Sequence, residues 1–227
     1  MTATPPVRRE LLVDTPHGEG RLVVDAAASP VATVVLSHGA GNGVESRDLE
    51  ALAACLPHQG VSVVRFEQPW RRAGRKVATA PPTLDAALLV AVPALRESGD
   101  LVGPLVVGGR SAGARSAARC ADALGAQACL LLSFPLHPPG KPEKSRLPEL
   151  AGLAGLGVPA LVVQGERDAM GRPEEFPDDV ELVVVPGADH GLKVAARAPL
   201  SQDDALDLVV ESTLEWIVRE AVGNAAS

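Results

Sequence analysis

A serine between two glycines is the feature of this sequence most directly tied to chemistry. The pentapeptide GRSAG at 109–113 follows the apolar run 104–108 and precedes the helical stretch 114–118. Such a serine, placed between a buried strand and a helix, is typical of a nucleophile elbow: the tight turn strains the serine backbone, and a Cβ at either glycine would collide with a neighbouring element. We therefore predict that Ser111 is an exposed nucleophile.

A histidine that could activate this serine lies near the end of the chain. His190 follows the apolar run 180–185 in a glycine-containing loop, where it would overhang the edge of a sheet. The chain order serine, acid, histidine favours a histidine downstream of Ser111. The other four occupy a hairpin turn, a position before Ser111, a helix end and a proline-rich loop: His17, His38, His58 and His137.

An acid is needed between these two positions to orient the imidazole. Asp168 follows the apolar run 159–163 and would lie at the carboxyl end of a strand. Its carboxylate would accept the Nδ1 proton, hold the tautomer and stabilise the imidazolium. Glu166, closer to the strand, and Asp189, adjacent to His190, are alternatives. We favour Asp168 because Asp189 could hardly bend back to the ring.

Acyl transfer also needs hydrogen-bond donors for the developing oxyanion. The backbone N–H of Ala112, directly after the nucleophile, is one candidate. The glycine-rich loop LSHGAGNG at 36–43 follows the run 31–36 and can aim a second N–H into the site; Ala40 is the first choice and Gly41 the next. A phosphate cradle is the alternative for this loop, but neither nucleotide-binding glycine motif is present.

Short apolar runs alternate with amphipathic stretches along the chain. Continuous runs indicate strands buried on both faces, and the alternation predicts an α/β fold with a mostly parallel, doubly wound sheet. Two N-terminal runs across a turn at 17–18 predict an antiparallel hairpin. A last helix opens with Ser201 and Asp204 in capping-box spacing. The predicted strands are 11–13, 21–25, 31–36, 61–66, 105–107, 128–132, 161–163 and 182–185.

Composition limits the classes of partner. The 227 residues predict a single domain, 1–227, and an aromatic content of 2% with a net charge of −7 argues against nucleic-acid binding. No segment resembles a signal peptide or membrane span, and the three cysteines have no metal-binding spacing. We predict buried thiols at Cys55, Cys120 and Cys129, a cytoplasmic location, and no cofactor or metal.

Two basic blocks follow strand ends and bear on specificity. The first, at 71–76, contains Arg71 and Arg72; the second spans 141–146. Together with Arg110, beside the nucleophile, they could hold a carboxylate or phosphate of the substrate, because guanidinium groups bind such anions in bidentate fashion. A solvated charge run on a loop is the alternative for each block.

Six sequence blocks in order resemble the α/β-hydrolase superfamily over nearly the whole chain. They are LSHGAGNG, FEQPWRRAGRK, VVGGRSAGARSAARC, FPLHPPGKPEKSR, VVQGERDAMG and ADHGLK. They are similar to a dienelactone-hydrolase-like branch that also includes a subunit of the NSL histone-acetyltransferase complex. The resemblance implies an α/β-hydrolase fold, Ser111, Asp168 and His190 as a catalytic triad, and Ala40 and Ala112 as oxyanion donors. Dienelactone hydrolases proper use a cysteine nucleophile, so dienelactone cleavage itself is not implied.

These observations predict a serine esterase acting on a small-molecule substrate. The segment 134–147, where lipase-like relatives insert lids, is too short for a cap domain, which favours an open site and a small ester or thioester. The alternative is a catalytically silent binding or scaffold module, because enzyme folds can be retained without chemistry. An intact triad argues against that alternative. The sequence leaves the acyl group, the acceptor and the oligomeric state open.

Overall fold

The computed structural model describes residues 7–198 and 200–223. Its strands are β1 (Val7–Thr15), β2 (Gly18–Ala26), β3 (Ala32–Ser37), β4 (Val61–Glu67), β5 (Leu105–Arg110), β6 (Ala128–Leu132), β7 (Ala160–Gly165) and β8 (Glu181–Val185). Its α-helices are α1 (Arg47–Cys55), α2 (Pro69–Arg72), α3 (Pro81–Glu97), α4 (Ala112–Cys120), α5 (Leu147–Gly155) and α6 (Gln202–Ile217).

All these strands form one sheet in the order β1-β2-β4-β3-β5-β6-β7-β8. The strands from β3 onward pair in parallel, whereas β2 pairs antiparallel with both β1 and β4. The predicted α/β architecture, with its antiparallel N-terminal hairpin at the edge of a mostly parallel sheet, is confirmed.

Helices cover the sheet on both faces, as the continuous apolar runs predicted. One core cluster joins alternate strand residues such as Val35 and Val107 to the apolar sides of α3, α4 and α5. The other joins their neighbours Val34 and Val106 to α1 and α6, where Trp216 is buried. Because successive strand residues point to opposite faces, a strand between two helical layers must be apolar throughout.

The hairpin and one cysteine depart from the sequence expectations. Strand β1 is longer than the predicted 11–13, because backbone pairing with β2 extends to Val7, opposite Ala26. The predicted pattern was short because β1 is an edge strand whose outer face carries charged residues. Cys55 is exposed at the end of α1, whereas Cys120 and Cys129 are buried as predicted.

The loops at the carboxyl ends of the parallel strands bring the candidate residues together. Ser111 follows β5, the glycine-rich loop follows the adjacent β3, and Asp168 and His190 follow the adjacent strands β7 and β8. This edge of an open α/β sheet is where ligands bind. Strand β6 is joined to α5 by the irregular loop 133–146, which contains no helix and leaves this edge without a lid domain.

Candidate active site

Ser111 lies on a sharp turn between β5 and α4 in a strained backbone conformation. Its φ of 52° and ψ of −110° are unusual for a residue with a side chain. The two glycines of the motif make the turn possible: a Cβ at Gly109 would lie 2.3 Å from the carbonyl oxygen of Ser37, and one at Gly113 only 2.1 Å from it. The chain therefore passes against β3 more closely than any other residue type allows.

His190 and Asp168 complete a hydrogen-bonded row with this serine. The Ser111 Oγ is 2.9 Å from His190 Nε2, and His190 Nδ1 is 2.7 Å from Asp168 Oδ2. Because the carboxylate can only accept, Nδ1 carries the proton and Nε2 is free to accept the serine proton. Asp168 is fully buried, whereas the side chain of His190 is 27% exposed.

The buried carboxylate of Asp168 is held by two further donors. The side-chain amide of Gln164 donates to Oδ2 at 2.9 Å, and the backbone N–H of Met170 donates to Oδ1 at 2.8 Å. Gln164 also donates to the Gly171 carbonyl, which ties β7 to the loop that carries the acid. Gln164 was not predicted from the sequence; the available signal was a glutamine directly after the apolar run 159–163.

The two alternative acids serve their own loops instead. Glu166 accepts a hydrogen bond from the Gly187 N–H at 2.6 Å. Asp189 accepts from the N–H groups of Gly191 and Lys193, at 2.7 and 3.1 Å. Both carboxylates therefore shape the segment around His190, and Asp168 is the acid that contacts its ring.

The glycine-rich loop lies directly against the nucleophile. A Cβ at Gly39 would be 3.3 Å from the Cβ of Ser111. Within residues 7–198 and 200–223, the backbone N–H groups of Ala40, Gly41 and Ala112 donate to no other group of the protein. Unpaired N–H groups on both sides of a serine are available to bind a developing oxyanion.

His38, which the sequence reasoning set aside, orients this loop. Its Nε2 accepts the N–H of Gln68 at 3.1 Å, so its Nδ1 carries the proton and donates to the Gly39 carbonyl at 2.8 Å. Burial lowers the pKa of His38, which keeps the ring neutral. In a trans peptide the C=O and N–H point in opposite directions, so the bond between His38 and the Gly39 oxygen directs the Ala40 N–H away from the His38 ring.

The three arginines expected to contact substrate lie in different environments. Arg72 pairs with Glu19, and Arg110 is buried with its guanidinium on Asp48 and on the His190 carbonyl. The guanidinium groups of both residues bind partners within the protein. These partners are distant in the sequence, so the positions of the two arginines after strand ends did not indicate them. Arg71 makes no ion pair with the residues the structure describes and lies beside Gly43. The hypothesis of an anionic substrate therefore depends on Arg71 and on the second basic block, 141–146, and stays a prediction.

Metal-binding side chains and the Cys120 thiol do not form a second reactive site among the described residues. No group of three or more histidine, cysteine or acidic side chains there could hold a metal ion. Burial raises the pKa of Cys120 to about 12, so this thiol is protonated and a poor nucleophile. No helix in this part of the chain is long and apolar enough to cross a bilayer.

A histidine–glutamate pair connects the loop after β6 to the segment that follows the acid. His137 lies 2.9 Å from the Pro138 carbonyl through Nδ1 and 2.9 Å from Glu175 through Nε2. Both ring nitrogens face acceptors, which favours the imidazolium. The Pro138 carbonyl and Glu175 accordingly raise the pKa of His137, and the Arg172 N–H and His137 lower that of Glu175.

We expect the stability contributed by this pair to depend on pH. Because the pKa of His137 is raised in the folded protein, its protonation stabilises the folded state fully below the unfolded pKa of 6.5. This stability is lost as the pH rises through the pKa of the folded protein. The lowered pKa of Glu175 contributes stability above its unfolded value of 4.5, and this stability is lost as the pH falls through the folded value. Urea unfolding should therefore give a larger difference between wild type and His137→Gln at pH 6 than at pH 9. A difference that grows with pH would contradict the pair.

Comparison with known proteins places the chain in a family. The profile of the alpha/beta hydrolase domain family matches residues 30–218. The chain belongs to this family.

Solved structures of similar fold cover nearly the whole of this hydrolase. It resembles a dienelactone hydrolase from Anabaena variabilis with 19% sequence identity and a TM-score of 0.73, and the match covers 96% of this chain and 100% of the other. It resembles XC6422 from Xanthomonas campestris, an α/β serine hydrolase without a lid, with 20% identity, 95% and 98% covered, and a TM-score of 0.64.

A third solved structure is similar over the same length. Est1E from Butyrivibrio proteoclasticus shares 16% identity, with 92% of this hydrolase and 99% of that chain covered and a TM-score of 0.68. No curated protein matches the sequence. The dienelactone-hydrolase-like resemblance is confirmed at the level of family and fold, and the likeness to an NSL-complex subunit stays a prediction.

Proposed function

We propose that this hydrolase cleaves a small carboxylic ester or thioester through an acyl-enzyme on Ser111. The observation that carries the proposal is the continuous hydrogen-bonded row Ser111–His190–Asp168, with contacts of 2.9 and 2.7 Å, on a strained serine. Backbone strain of this kind persists only where the surrounding structure holds it, and it is found preferentially at functional sites.

The first half of the reaction forms the acyl-enzyme. His190 Nε2 takes the proton from Ser111 Oγ as this oxygen attacks the substrate carbonyl carbon. The carbonyl oxygen becomes an oxyanion, which accepts hydrogen bonds from the N–H groups of Ala40 and Ala112, with Gly41 as the alternative donor. The Asp168 carboxylate stabilises the imidazolium. Collapse of the intermediate breaks the bond to the alcohol or thiol, which leaves with the proton from His190.

The second half of the reaction hydrolyses the acyl-enzyme and releases the carboxylic acid product. Water gives its proton to His190 Nε2 and attacks the acyl carbon, and collapse of the second tetrahedral intermediate returns the proton to Ser111 Oγ. The absence of a lid in the described loop 133–146 supports a small, soluble substrate. Two structural relatives are esterases by name, one from Rhodothermus marinus and one from an Arctic metagenomic library, and Est1E has been solved with ferulic acid bound; these relatives agree with an ester substrate.

Covalent labelling tests the proposal without knowledge of the substrate. Intact-protein mass spectrometry after treatment with a small fluorophosphonate should show one adduct on the wild type. We expect none on Ser111→Ala and very little on His190→Ala, because one lacks the nucleophile and the other its base. Ser212→Ala and His58→Ala are matched controls, since Ser212 donates to a helical carbonyl and His58 is exposed.

The two outcomes lead in different directions. A labelled wild type justifies a panel of small esters and thioesters. An unlabelled wild type whose circular dichroism shows a folded protein would reject the serine hydrolase and favour the scaffold module.

A further inference from the structure

Arg110 occupies a position that the proposed reaction does not use. It directly precedes Ser111, yet its side chain is 7% exposed and turns inward rather than toward a substrate. Its Nη2 donates to the backbone carbonyl of His190 at 2.7 Å, and its Nε lies 3.0 Å from a carboxylate oxygen of Asp48 on α1. The buried guanidinium of Arg110 therefore connects the elbow to the backbone of His190 and to helix α1.

Asp48 depends on this arginine. Its side chain is fully buried, and among the described residues neither carboxylate oxygen accepts a hydrogen bond. Arg110 is the cation within 4 Å of it in that part of the chain. A buried carboxylate without a counter-charge is strongly unfavourable, so each member of the pair holds the other in place.

The loop that carries His190 has few other supports toward the nucleophile. Asp189 closes a local turn over Gly191 and Lys193, and the Arg167 N–H bonds the Ala188 carbonyl, which attaches the loop to the acid side of the site. On the side of α1, a cavity of about 220 Å³ lies beside Asp189 and Gly191. The Gln202 side chain of α6 bonds the loop at Leu192 and Val194 and accepts from Arg47 of α1, so this support comes from α6 rather than from the elbow. Besides the Ser111–His190 contact itself, Arg110 is the hydrogen-bonding link from this loop to the elbow within the described chain.

We propose that Arg110 and Asp48 form a positioning pair that sets the distance between the general base and the nucleophile. The proposal rests on the proposed function, because it concerns the alignment of Ser111 and His190 for proton transfer. Displacement of a catalytic group by about 1 Å is enough to lower a rate about 100-fold. The pair touches no reacting atom and acts through the His190 backbone.

A double substitution separates alignment from stability. Arg110→Met alone leaves Asp48 buried without a counter-charge and should unfold at much lower urea. Arg110→Met combined with Asp48→Asn removes both charges, and neutral replacement of a buried ion pair is well tolerated. We expect the double variant to unfold near the wild-type urea midpoint, yet to react with the fluorophosphonate about 10- to 100-fold more slowly.

Further readouts distinguish positioning from a general structural role. For an ester substrate, the double variant should lose kcat with KM within about twofold. It should keep the acid limb of the pH profile, because no net charge changes near His190, while the plateau falls. Arg110→Lys keeps the charge beside Asp48 but lacks the planar guanidinium that lies against Asp48 and at the same time donates to the His190 carbonyl, so it should fold and react about 10-fold more slowly.

Hydrogen exchange tests the pair independently of catalysis. We expect the segment 186–194 to exchange faster in the double variant than in wild type. The matched control is Arg65→Met with Asp25→Asn, an equally buried ion pair at 3.1 Å, which should leave exchange of this segment unchanged. Wild-type reactivity and wild-type exchange in the Arg110–Asp48 double variant would overturn the inference. An unlabelled wild type would reject the proposed function, and the exchange result would still decide the pair.

Discussion

Asp168→Asn should lower kcat by about 10⁴-fold and leave the protein folded. Each hydrogen bond between this carboxylate and the described residues is an accepted one: Oδ2 accepts from His190 and Gln164, and Oδ1 accepts from the Met170 N–H. An asparagine amide has one donor end, so in either orientation a donor faces a donor.

The rate loss follows whichever orientation the amide takes. If the NH₂ group replaces Oδ2, His190 must turn its proton to Nε2 and can no longer accept from Ser111. If it replaces Oδ1, the tautomer survives, but no negative charge remains to stabilise the imidazolium. Steady-state hydrolysis of an ester that the wild-type protein cleaves would measure the loss, and circular dichroism would establish that the variant is folded.

Two isosteric substitutions provide the control for this experiment. Glu166→Gln and Asp189→Asn keep an oxygen that can accept from Gly187, or from Gly191 and Lys193, so the loop around His190 should hold its shape. We expect kcat within about threefold of wild type for both. A loss on Glu166→Gln as large as on Asp168→Asn would mean that Asp168 is not the acid that supports the histidine.

The sheet and the row of three residues were accessible from the sequence for a common reason. Ser111, Asp168 and His190 each lie in the loop or turn that follows an apolar run, and the carboxyl ends of parallel strands lie at one edge of the sheet. Local order along the chain therefore sufficed to place all three together. The same reasoning found the helix cap, because the Ser201 hydroxyl and the Asp204 carboxylate bond each other's backbone only three residues apart.

The supporting residues were not accessible because their partners are distant in the sequence. Arg110 was expected to contact substrate, since nothing near it in the chain indicates that Asp48 and the His190 carbonyl neutralise and bind its guanidinium. His38 was set aside because it precedes Ser111 in the chain. Its role depends on the N–H of Gln68, which only the pairing of β3 with β4 brings close. Long-range polar contacts of this kind become visible only once the strand order is known.

A Cβ at position 113 should destabilise the protein by about 3 kcal/mol, although alanine is the better helix former. In Gly113→Ala the new methyl would lie 2.1 Å from the Ser37 oxygen, 2.6 Å from its carbonyl carbon and 2.8 Å from the His38 oxygen. These are backbone atoms of β3 and the loop after it, so no side-chain rotation relieves the overlap. Helix α4 must move away from β3 and carry Ser111 away from Ala40.

Gly152→Ala is the matched control, because it makes the same change on an exposed part of helix α5. A Cβ at Gly152 would have no atom within 4 Å, so replacing this helical glycine should raise the free energy of unfolding by about 0.5–1 kcal/mol. Urea denaturation followed by tryptophan fluorescence measures both variants. If helix propensity governed position 113 as well, the urea midpoints of both variants would rise. We expect the midpoint of Gly113→Ala to fall and that of Gly152→Ala to rise, because the packing of α4 on β3 outweighs helix propensity at position 113. A Gly113→Ala protein as stable as wild type would show that the elbow does not require the close approach that places Ser111 beside the loop carrying Ala40.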